Sequence, residues 1–405
     1  MKILVLYAPF STHVGAHLNN LLSYFYHGKL DWYFLPEIRN LNFNNFEKFD
    51  VVAIHHSLRY DPNRHFVLKK KLNEFKGKKI LFLQDEYIYT RRNIKFIQNI
   101  NFHLVFTCVP TEHIKKIYGN SFNHKTRFIS ILTGYVKDWK QNKKFIKPIK
   151  SRKIDLGYRG RESDYCWGSL VREKFTFPKK ILKKIKNSDI KINISFKDKD
   201  RIYGKKWIKF IQDCKAMLGT ESGSNLFDFN NDLMDIEKKL KLKNSNLTFK
   251  DYLKVLQSMG YIEYEKVMNQ ISPRIFEAIE NKTLLVLSEG KYSGVIKAGK
   301  HYFSLKKDLS NLNEMIKLLK DNNNIQKIVD DAYVDIIDSN KYGYKSYVKK
   351  IEKEILDLNF SSKIKNHKID FPIFITKKPK KNYILFYLIN FWLILPRNLR
   401  KMIPR

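Results

Sequence analysis

Blocks of apolar residues recur along the first 135 positions of the chain and predict a series of buried strands. The apolar runs occupy residues 3–7, 32–35, 51–55, 80–83, 104–107 and 128–131. Apolar residues at helical spacing lie between several of them, at positions 14–25, 66–75 and 90–98. Alternating strands and helices predict a parallel sheet with helices on both faces.

The same alternation restarts after a polar, basic segment at 137–153, which is typical of a linker. The predicted strands occupy residues 153–157, 190–196, 216–219, 284–287 and 302–305. Predicted helices cover 207–213, 249–259 and 312–319, and an amphipathic segment at 325–356 closes this part. We therefore predict one Rossmann-like domain over residues 1–145, a second over 151–345, a closing helix and linker over 346–375, and a tail over 376–405.

The tail combines basic and apolar residues. KKPKK at 377–381 precedes an apolar run at 383–395, and four further basic residues follow it. The run is shorter than the ~20 residues that span a bilayer. Its basic flanks and aromatic residues favour a segment lying in the interface of an anionic membrane. A C-terminal helix buried against the body or a dimer partner is the alternative.

Composition adds a strong positive charge to this picture. The 405 residues carry a formal net charge of +37, which calls for an anionic partner: nucleic acid, anionic lipid or a phosphorylated substrate. A hydrophobic fraction of 43% is enough for real cores and excludes global disorder. Cys108, Cys166 and Cys214 lie far apart without metal-ligand spacing, which fits a reducing cytoplasm. The start, MKILVLYAPF, is expected to be a buried strand rather than a signal peptide.

An arginine and a glutamate lie one helical turn apart in the second predicted domain. Arg274 and Glu277 follow Ser272 and Pro273, which are ordinary helix-initiation signals, and a strand comes directly after this helix. At the carboxyl edge of a sheet, the cation suits a phosphate and the carboxylate suits ribose hydroxyls. The alternative is a surface salt bridge between residues i and i+3.

Two loops that follow predicted strands also carry polar groups. In the turn at 155–161, Arg159 and Arg161 are placed to clamp a diphosphate, and the alternative is a solvated surface loop. The loop at 220–228 offers Glu221, together with Ser222, Gly223 and Ser224, to a phosphate or a sugar. A Ser/Gly turn that caps a helix is the alternative there.

Candidate bases for an acceptor hydroxyl lie in the first predicted domain. They are Asp85 and Glu86 after the fourth strand, and His13 and His17 after the first. Asp198 and Asp200 have a metal-ligand spacing, but the lysines around them favour a solvated turn. We find no zinc-protease motif, no phosphate-binding loop of the Walker type and no nucleophile elbow. We expect no metal and no cofactor.

The segment at 271–311, ISPRIFEAIENKTLLVLSEG followed by KYSGVIKAGKHYFSLKKDLSN, resembles the "glycosyl transferases group 1" domain of GT-B glycosyltransferases. LGYRGR and GTESGSNLFDF add weaker support, and CgeB-like spore proteins share the pattern. The resemblance implies two Rossmann-like domains facing across a cleft. It also implies a role in bacterial surface-polysaccharide assembly, such as O-antigen, lipopolysaccharide or capsule.

The resemblance further implies roles for individual residues. Glu277 would hold the donor ribose, Arg274 its phosphate, and Glu221 would lie near the anomeric carbon. Many retaining members carry a second glutamate eight positions before the first, but this chain has Asn269 there, so the stereochemical outcome stays open. The expected partners are a nucleotide-sugar and a lipid-linked or growing glycan. The enzyme would be peripheral, at the inner face of the cytoplasmic membrane.

Two other functions remain open on the sequence. One is a non-catalytic sugar- or nucleotide-binding protein with the same fold, because a fold does not determine a function. The other is a nucleic-acid-binding protein, which the charge of +37 suggests. The basic residues are scattered, however, and no zinc-finger, RRM or basic-zipper signature is present, so we expect no specific nucleic acid.

Overall fold

The computed structural model describes residues 1–11, 15–37, 46–119, 126–139, 146–359 and 375–376. The chain forms two compact units. The first unit contains residues 1–84, 93–131 and the described residues from 344 onward, and the second contains residues 85–92 and 132–343. Across the described ranges, none of the helices combines the length and the apolar character that crossing a bilayer requires. The tail predicted at 376–405 lies outside the described residues, except for Thr376.

The predicted strands and helices follow each other in the predicted order, and the structure adds helices at 114–118 and 233–243 and a short strand at 375–376. The strands are β1 (Lys2–Tyr7), β2 (Asp31–Pro36), β3 (Val51–Ile54), β4 (Lys78–Phe82), β5 (Leu104–Thr107), β6 (Arg127–Ser130), β7 (Ile154–Arg159), β8 (Ile192–Ser195), β9 (Cys214–Gly219), β10 (Leu284–Ser288), β11 (Phe303–Leu305) and β12 (Ile375–Thr376). The α-helices are α1 (Gly15–His27), α2 (Phe66–Glu74), α3 (Thr90–Ile100), α4 (Ile114–Tyr118), α5 (Gly168–Ile185), α6 (Gly204–Asp213), α7 (Leu233–Lys243), α8 (Phe249–Ser258), α9 (Pro273–Glu280), α10 (Leu312–Lys320), α11 (Asn322–Tyr333) and α12 (Tyr344–Leu356).

The first unit is built on one sheet with the order β12-β2-β1-β3-β4-β5-β6. Strands β1 to β6 pair in parallel, and β12 joins the β2 edge antiparallel. Strands β3 and β5 are buried along their whole length, as expected for strands with helices on both faces.

The second unit contains a five-stranded parallel sheet with the order β11-β10-β9-β7-β8. Apolar side chains of β7, β9 and β10, including Leu156, Leu218 and Val286, pack with α5, α10 and α11 in one core. Helices α7 and α8 are inserted between β9 and α9 and pack around Tyr252. The prediction of two parallel α/β sheets is confirmed.

The last described helices are divided between the two units. The amphipathic pattern at 325–356 reads as one segment, but a π-helical stretch (Val334–Asp338) and a turn separate α11 from α12. Helix α12 belongs to the first unit, where Tyr347 Oη lies 2.8 Å from Tyr24 Oη. Glu352 Oε1 accepts a hydrogen bond of 2.8 Å from Trp32 Nε1. Periodicity reports which face is buried, but not which sheet it packs against.

Candidate functional site

The strand order of the second unit reverses between β7 and β9. The chain passes from β7 to β8 on one side, and then returns to place β9 on the other side of β7. In open α/β sheets, ligands bind at such a switch point, outside the carboxyl ends of the strands. Strand β7 ends at Arg159 and β9 ends at Gly219. The loops that follow these two residues therefore flank the expected ligand position.

A lysine from α5 reaches the loop that follows β9. Lys174 Nζ donates a hydrogen bond of 2.8 Å to Ser222 Oγ. The backbone of Ser222 is itself fixed, because its N–H and carbonyl pair with Gln270 at 2.7 and 2.8 Å. Gly223 makes this pairing possible: its φ is +98°, and a Cβ there would collide with the carbonyl oxygen of Met268. The loop is thus held beside the segment that leads into α9.

The ammonium group of Lys174 lies among other charges. The pKa of Lys174 is lowered from its ordinary value of 10.5 to about 8, mainly by burial, and the positive charge of Arg274 contributes to this lowering. The carboxylate of Asp85 acts in the opposite direction. The charges of Arg274 and Asp85 therefore both act on Lys174, and the lysine remains mostly protonated at pH 7.

Arg274 and Glu277 are both oriented by one tryptophan of α6. The guanidinium carbon of Arg274 lies 5.1 Å from the ring centroid of Trp207, and its Nη1 donates a bond of 2.6 Å to the carbonyl of Arg159. Trp207 Nε1 donates a bond of 2.7 Å to Glu277 Oε2. Arg274 is exposed, and within the described residues it forms no ion pair. The i,i+3 salt bridge that was the alternative is not formed.

Helix α9 begins as the sequence predicts. Ser272 occupies the N-cap with φ −88° and ψ 143°, although its side chain makes no capping hydrogen bond, and Pro273 begins the helix. Pro273 packs so closely on Gly134 that a side chain at that glycine would meet its ring. The start of α9 is therefore fixed by packing, and Arg274 projects from its first turn.

The two arginines after β7 have different surroundings. Arg159 Nη1 donates to the carbonyls of Tyr158 and Asn193 at 2.8 and 2.9 Å, and Nη2 donates to Asn193 Oδ1 at 2.8 Å. Its guanidinium also covers the ring of Phe210 at 4.2 Å, and burial lowers its pKa. These bonds tie β7 to β8, so a diphosphate would have to displace them to use this side chain. Arg161 is exposed.

Glu221 joins the end of β9 to the turn after β10. Its Oε1 accepts hydrogen bonds of 2.9 Å from the backbone N–H groups of Lys291 and Tyr292. Its Oε2 accepts a bond of 2.5 Å from Asn269 Nδ2, and the residue is only 6% exposed. Asn269, which lies eight positions before Glu277, thus orients the carboxylate of Glu221. The geometry makes Glu221 a positioning residue for the turn that starts at Gly290.

The hydroxyl of Ser224 forms its hydrogen bonds within the loop that follows β9. It is fully buried, and its Oγ donates to the carbonyl of Leu226 at 3.1 Å and accepts from the N–H of the same residue at 3.0 Å. The side chain of Ser224 therefore closes a turn within the loop. Within the loop, Ser222 is the hydroxyl that meets a cation.

Asp85 and Glu86 pack with the second unit. The segment at 85–92 is fastened to the loop after β9, since Asp228 N donates to the carbonyl of Tyr87 at 3.0 Å. Asp85 has a φ of +57°, is half-buried and accepts a bond of 3.2 Å from the hydroxyl of Tyr87. Glu86 is only 1% exposed. His13 lies outside the described residues.

Sequence reasoning missed Lys174 and Trp207. Lys174 sits in VREKF, without a motif, and Trp207 sits on the apolar face of an amphipathic helix that reads as ordinary core. The only signal in the sequence that could have identified Lys174 was its place on the helix that follows the first strand of the second sheet.

The residues expected not to bind a metal lie in a partly exposed turn. Asp200 Oδ2 accepts a bond of 2.6 Å from Ser195 Oγ, and the side chain of Asp198 is 81% exposed beside Arg201. Within the part of the chain that the structure describes, no group of three or more His, Cys, Asp or Glu side chains is arranged to hold a metal ion.

Two parallel α/β units with these strand orders define the GT-B class of fold, and solved structures share it. One is an alpha-glucosyltransferase in complex with UDP-glucose and DNA containing an abasic site: identity 10%, coverage 88% of this chain and 100% of that chain, TM-score 0.52. Another is the DNA modifying enzyme beta-glucosyltransferase, studied with and without uridine diphosphoglucose: identity 13%, coverage 88% and 100%, TM-score 0.50.

TarM also matches, with 15% identity and a TM-score of 0.46. The match covers 76% of this chain and only 55% of TarM. No protein-family model matches the sequence, and no curated protein matches it significantly.

Proposed function

We propose that this protein is a glycosyltransferase that takes its sugar from a nucleotide-sugar donor. The observation that carries the proposal is the hydrogen bond from Lys174 to Ser222 at the switch point of the second sheet, where the charge of Arg274 also acts on Lys174. Two cations and a fixed loop at that edge suit a diphosphate, and the GT-B fold is one on which solved relatives bind UDP-glucose.

Each side chain of the site has a separate task in this proposal. Lys174 and Arg274 neutralise the phosphate charge that develops as the sugar leaves, with Ser222 as a further donor. Glu277, oriented by Trp207, accepts hydrogen bonds from the ribose hydroxyls. Asp85 is the better candidate base of its pair, because Glu86 is enclosed by protein.

We also propose that transfer needs no divalent metal, with Lys174 and Arg274 neutralising the leaving phosphate in its place. Lys174 and Arg274 supply this charge from elements that packing holds in place. Preorganised charge of this kind stabilises a departing phosphate without a metal ion.

The first prediction concerns donor binding. In a thermal-shift panel of UDP, GDP, CMP, dTDP and ADP, one nucleotide at ~100 times its dissociation constant should add ~2.7 kcal/mol of stability. The stabilisation should persist in EDTA and be lost in Glu277→Ala, because the ribose then loses its acceptor. Glu314→Ala, which removes an exposed glutamate of α10, is the matched control and should behave as wild type.

The outcomes of this panel distinguish the possible functions of the protein. If no nucleotide stabilises the wild type, the donor assignment fails. Nucleotide binding without hydrolysis or transfer of any sugar would instead support a non-catalytic binding protein on the same fold. Stabilisation that requires a divalent metal would overturn the metal-independent part of the proposal alone.

We propose that the acceptor is a lipid-linked or growing surface glycan, such as O-antigen, lipopolysaccharide or capsule, at the inner face of the cytoplasmic membrane. The support is the tail sequence, which joins eight Lys and Arg residues of 377–405 to an apolar run at 383–395. These residues lie outside the described part of the structure.

A second prediction tests the tail. Deleting residues 377–405 should abolish flotation of the protein with vesicles that contain anionic phosphatidylglycerol, since each basic residue near such a surface contributes ~1 kcal/mol. Vesicles of neutral phosphatidylcholine are the control and should bind the full chain weakly. Equal flotation of the full and the shortened chain would contradict a membrane role for the tail.

DNA is a second candidate acceptor. Two solved relatives are described with DNA or as DNA modifying, and a net charge of +37 attracts polyanions. Incorporation of radiolabelled sugar into duplex DNA, but not into extracted membrane glycans, would favour this acceptor and reject the glycan.

A further inference from the structure

Helix α7 of the second unit has apolar residues on two faces. Its inward face packs with α8 around Tyr252, through Leu233, Ile236 and Leu240. Its outward face is exposed and consists of Met234, Asp235, Lys238, Lys239, Leu242 and Lys243. A helix that only covers a core needs one apolar face. The proposed donor chemistry uses none of the residues on the outward face.

The two apolar residues of the outward face lie along one line of the helix. Met234 and Leu242 are eight positions apart with Lys238 midway, and residues four positions apart share a helix face. Met234 is 44% exposed, and Leu242 is 79% exposed, which is the highest value for a large apolar side chain in the part of the chain that the structure describes. The stem of the lysine between them is itself apolar. The outward face therefore presents an apolar line to the solvent.

The exposure of Leu242 is a property of the fold, because α7 is tied to the body of the second unit. Glu237 accepts hydrogen bonds of 2.9 and 2.8 Å from the backbone N–H groups of Tyr165 and Cys166. The hydroxyl of Tyr165 donates a bond of 3.1 Å to the carbonyl of Leu247, in the turn between α7 and α8. These bonds hold both the helix and the turn, so Leu242 has a fixed place on the surface.

The charge around this apolar line is positive. Three lysines of the outward face form no ion pair within the described residues, namely Lys238, Lys239 and Lys243. Lys241 pairs with Glu237 at 2.5 Å, and Asp235 is the one other carboxylate of the helix. Unpaired cations beside an exposed apolar line fit a partner that is anionic at its surface and apolar beneath it.

We propose that the outward face of α7 docks on an anionic membrane, with the lysines among the head groups and Leu242 at the boundary of the acyl chains. A nucleic acid would engage the lysines but would leave Leu242 in water, so a membrane accounts for more of this face. The docking surface does not depend on the proposed function. Only its use, which is to hold the donor-binding unit near a lipid-linked acceptor, rests on that function.

This contact acts together with the tail proposed above to bind the membrane. By itself it would bind marginally, as a single acyl chain does. Once another segment holds the chain at the surface, the contact of α7 becomes intramolecular and strengthens binding without a further loss of translational freedom. Loss of flotation is therefore still expected when residues 377–405 are deleted.

The first test places a fluorescent label at position 242 of the full chain. Leu242→Cys can be labelled selectively with nitrobenzoxadiazole, because Cys108, Cys166 and Cys214 are all buried. Vesicles of phosphatidylglycerol should shift the emission of this label to shorter wavelength, and vesicles of phosphatidylcholine should not. The same label in Asn313→Cys, at an exposed position of α10 in the same unit, is the control and should keep the emission of a label in water.

The second test measures the affinity of the full chain for phosphatidylglycerol vesicles. Leu242→Ser should weaken binding about tenfold, because a leucine then no longer leaves water. Val334→Ser is the matched control: it removes another exposed apolar side chain of the same unit and should bind as wild type. The triple variant Lys238→Gln, Lys239→Gln and Lys243→Gln should bind about a hundredfold more weakly, roughly fivefold for each lysine.

Three results would overturn the proposal. The first is a label at position 242 that keeps the emission of water while the chain floats with the vesicles. The second is equal vesicle affinity of Leu242→Ser and Val334→Ser. The third is an emission shift with duplex DNA and none with vesicles, which would assign this face to nucleic acid. If the label shifts on vesicles but no nucleotide stabilises the protein, the proposed function fails while the docking surface stands.

Discussion

Replacing Lys174 by methionine is expected to lower kcat/KM for sugar transfer by about 10²–10³-fold, the usual effect of removing one preorganised group that stabilises charge in a transition state. Methionine keeps most of the length and the apolar stem of lysine, but it cannot donate to Ser222 or neutralise a phosphate. Steady-state kinetics with the nucleotide-sugar identified by the thermal-shift panel measures the effect.

The wild-type enzyme should also show a descending limb of kcat/KM near pH 8. Burial and Arg274 set the pKa of Lys174 to about 8 in the folded chain, so the free enzyme loses this charge as the pH rises through that value. The limb should be absent in Lys174→Met. A limb that survives the substitution would assign it to another group.

As the pH rises above 8, the free energy of unfolding should rise while kcat/KM falls. Between pH ~8 and ~10.5 the unfolded chain binds a proton at Lys174 that the folded chain has lost, so the free energy of unfolding rises with pH across this window. Below the window, the folded chain carries the full cost of a charged, buried ammonium. Lys174→Met removes that cost, so its melting temperature at pH 7 should equal or exceed that of wild type.

The matched control is Lys184→Met, which removes an exposed lysine from the last turn of the same helix. It should leave kcat/KM within about twofold of wild type. Lys184 lies ten residues after Lys174 on the helix, and salt screens an exposed charge so far from the site. An equal loss in both variants would show that general charge, and not the position of Lys174, determines activity.

Replacing Gly223 by alanine is expected to destabilise the second unit by about 3 kcal/mol or more. A positive φ alone costs a non-glycine residue about 1–3 kcal/mol. The new Cβ would in addition collide with the carbonyl oxygen of Met268, which is backbone and has little freedom to move. Moving the two chain segments apart would break the pairing of Ser222 with Gln270, and with it the position of the Lys174 contact.

Gly260→Ala separates the cost of a positive φ from the cost of the collision with Met268. Gly260 also has a positive φ, +82°, but no atom lies within 4 Å of the position that a Cβ would take there. Urea unfolding should therefore show a loss of about 1–2 kcal/mol for Gly260→Ala and clearly more for Gly223→Ala. Equal losses would mean that the loop after β9 is not pressed against Met268.

Part of this structure can be read from local sequence. A run such as VVAI at β3 is apolar throughout and short, so it predicts a strand buried on both faces. Ser272 and Pro273 predict the start of α9 because both act on the backbone beside them. The prediction of two parallel α/β units followed from such local signals, as did the position of Arg274 and Glu277 on one helix.

Contacts between distant residues could not be read in this way. Lys174 meets Ser222 across 48 positions, and Glu221 meets the backbone of Lys291 across 70. Which loops meet depends on the strand order, and the hydrophobic pattern of β9 would be the same beside β8 as beside β7. The same holds for α12, whose apolar face predicts burial but not the sheet that receives it.

By itself, then, the sequence determined where most strands and helices lie, which of their faces are buried, and that two α/β units follow each other. These properties depend on residues within a few positions of one another. Only the tertiary structure decided that Glu221 and Asn269 share a hydrogen bond, that Lys174 joins the site, and that His17 contacts the ring of His56. Strand order and packing between distant segments create those contacts. The local hydrophobic pattern does not specify them, because the free energy of burial depends on the apolar area that is buried and not on the segment that covers it.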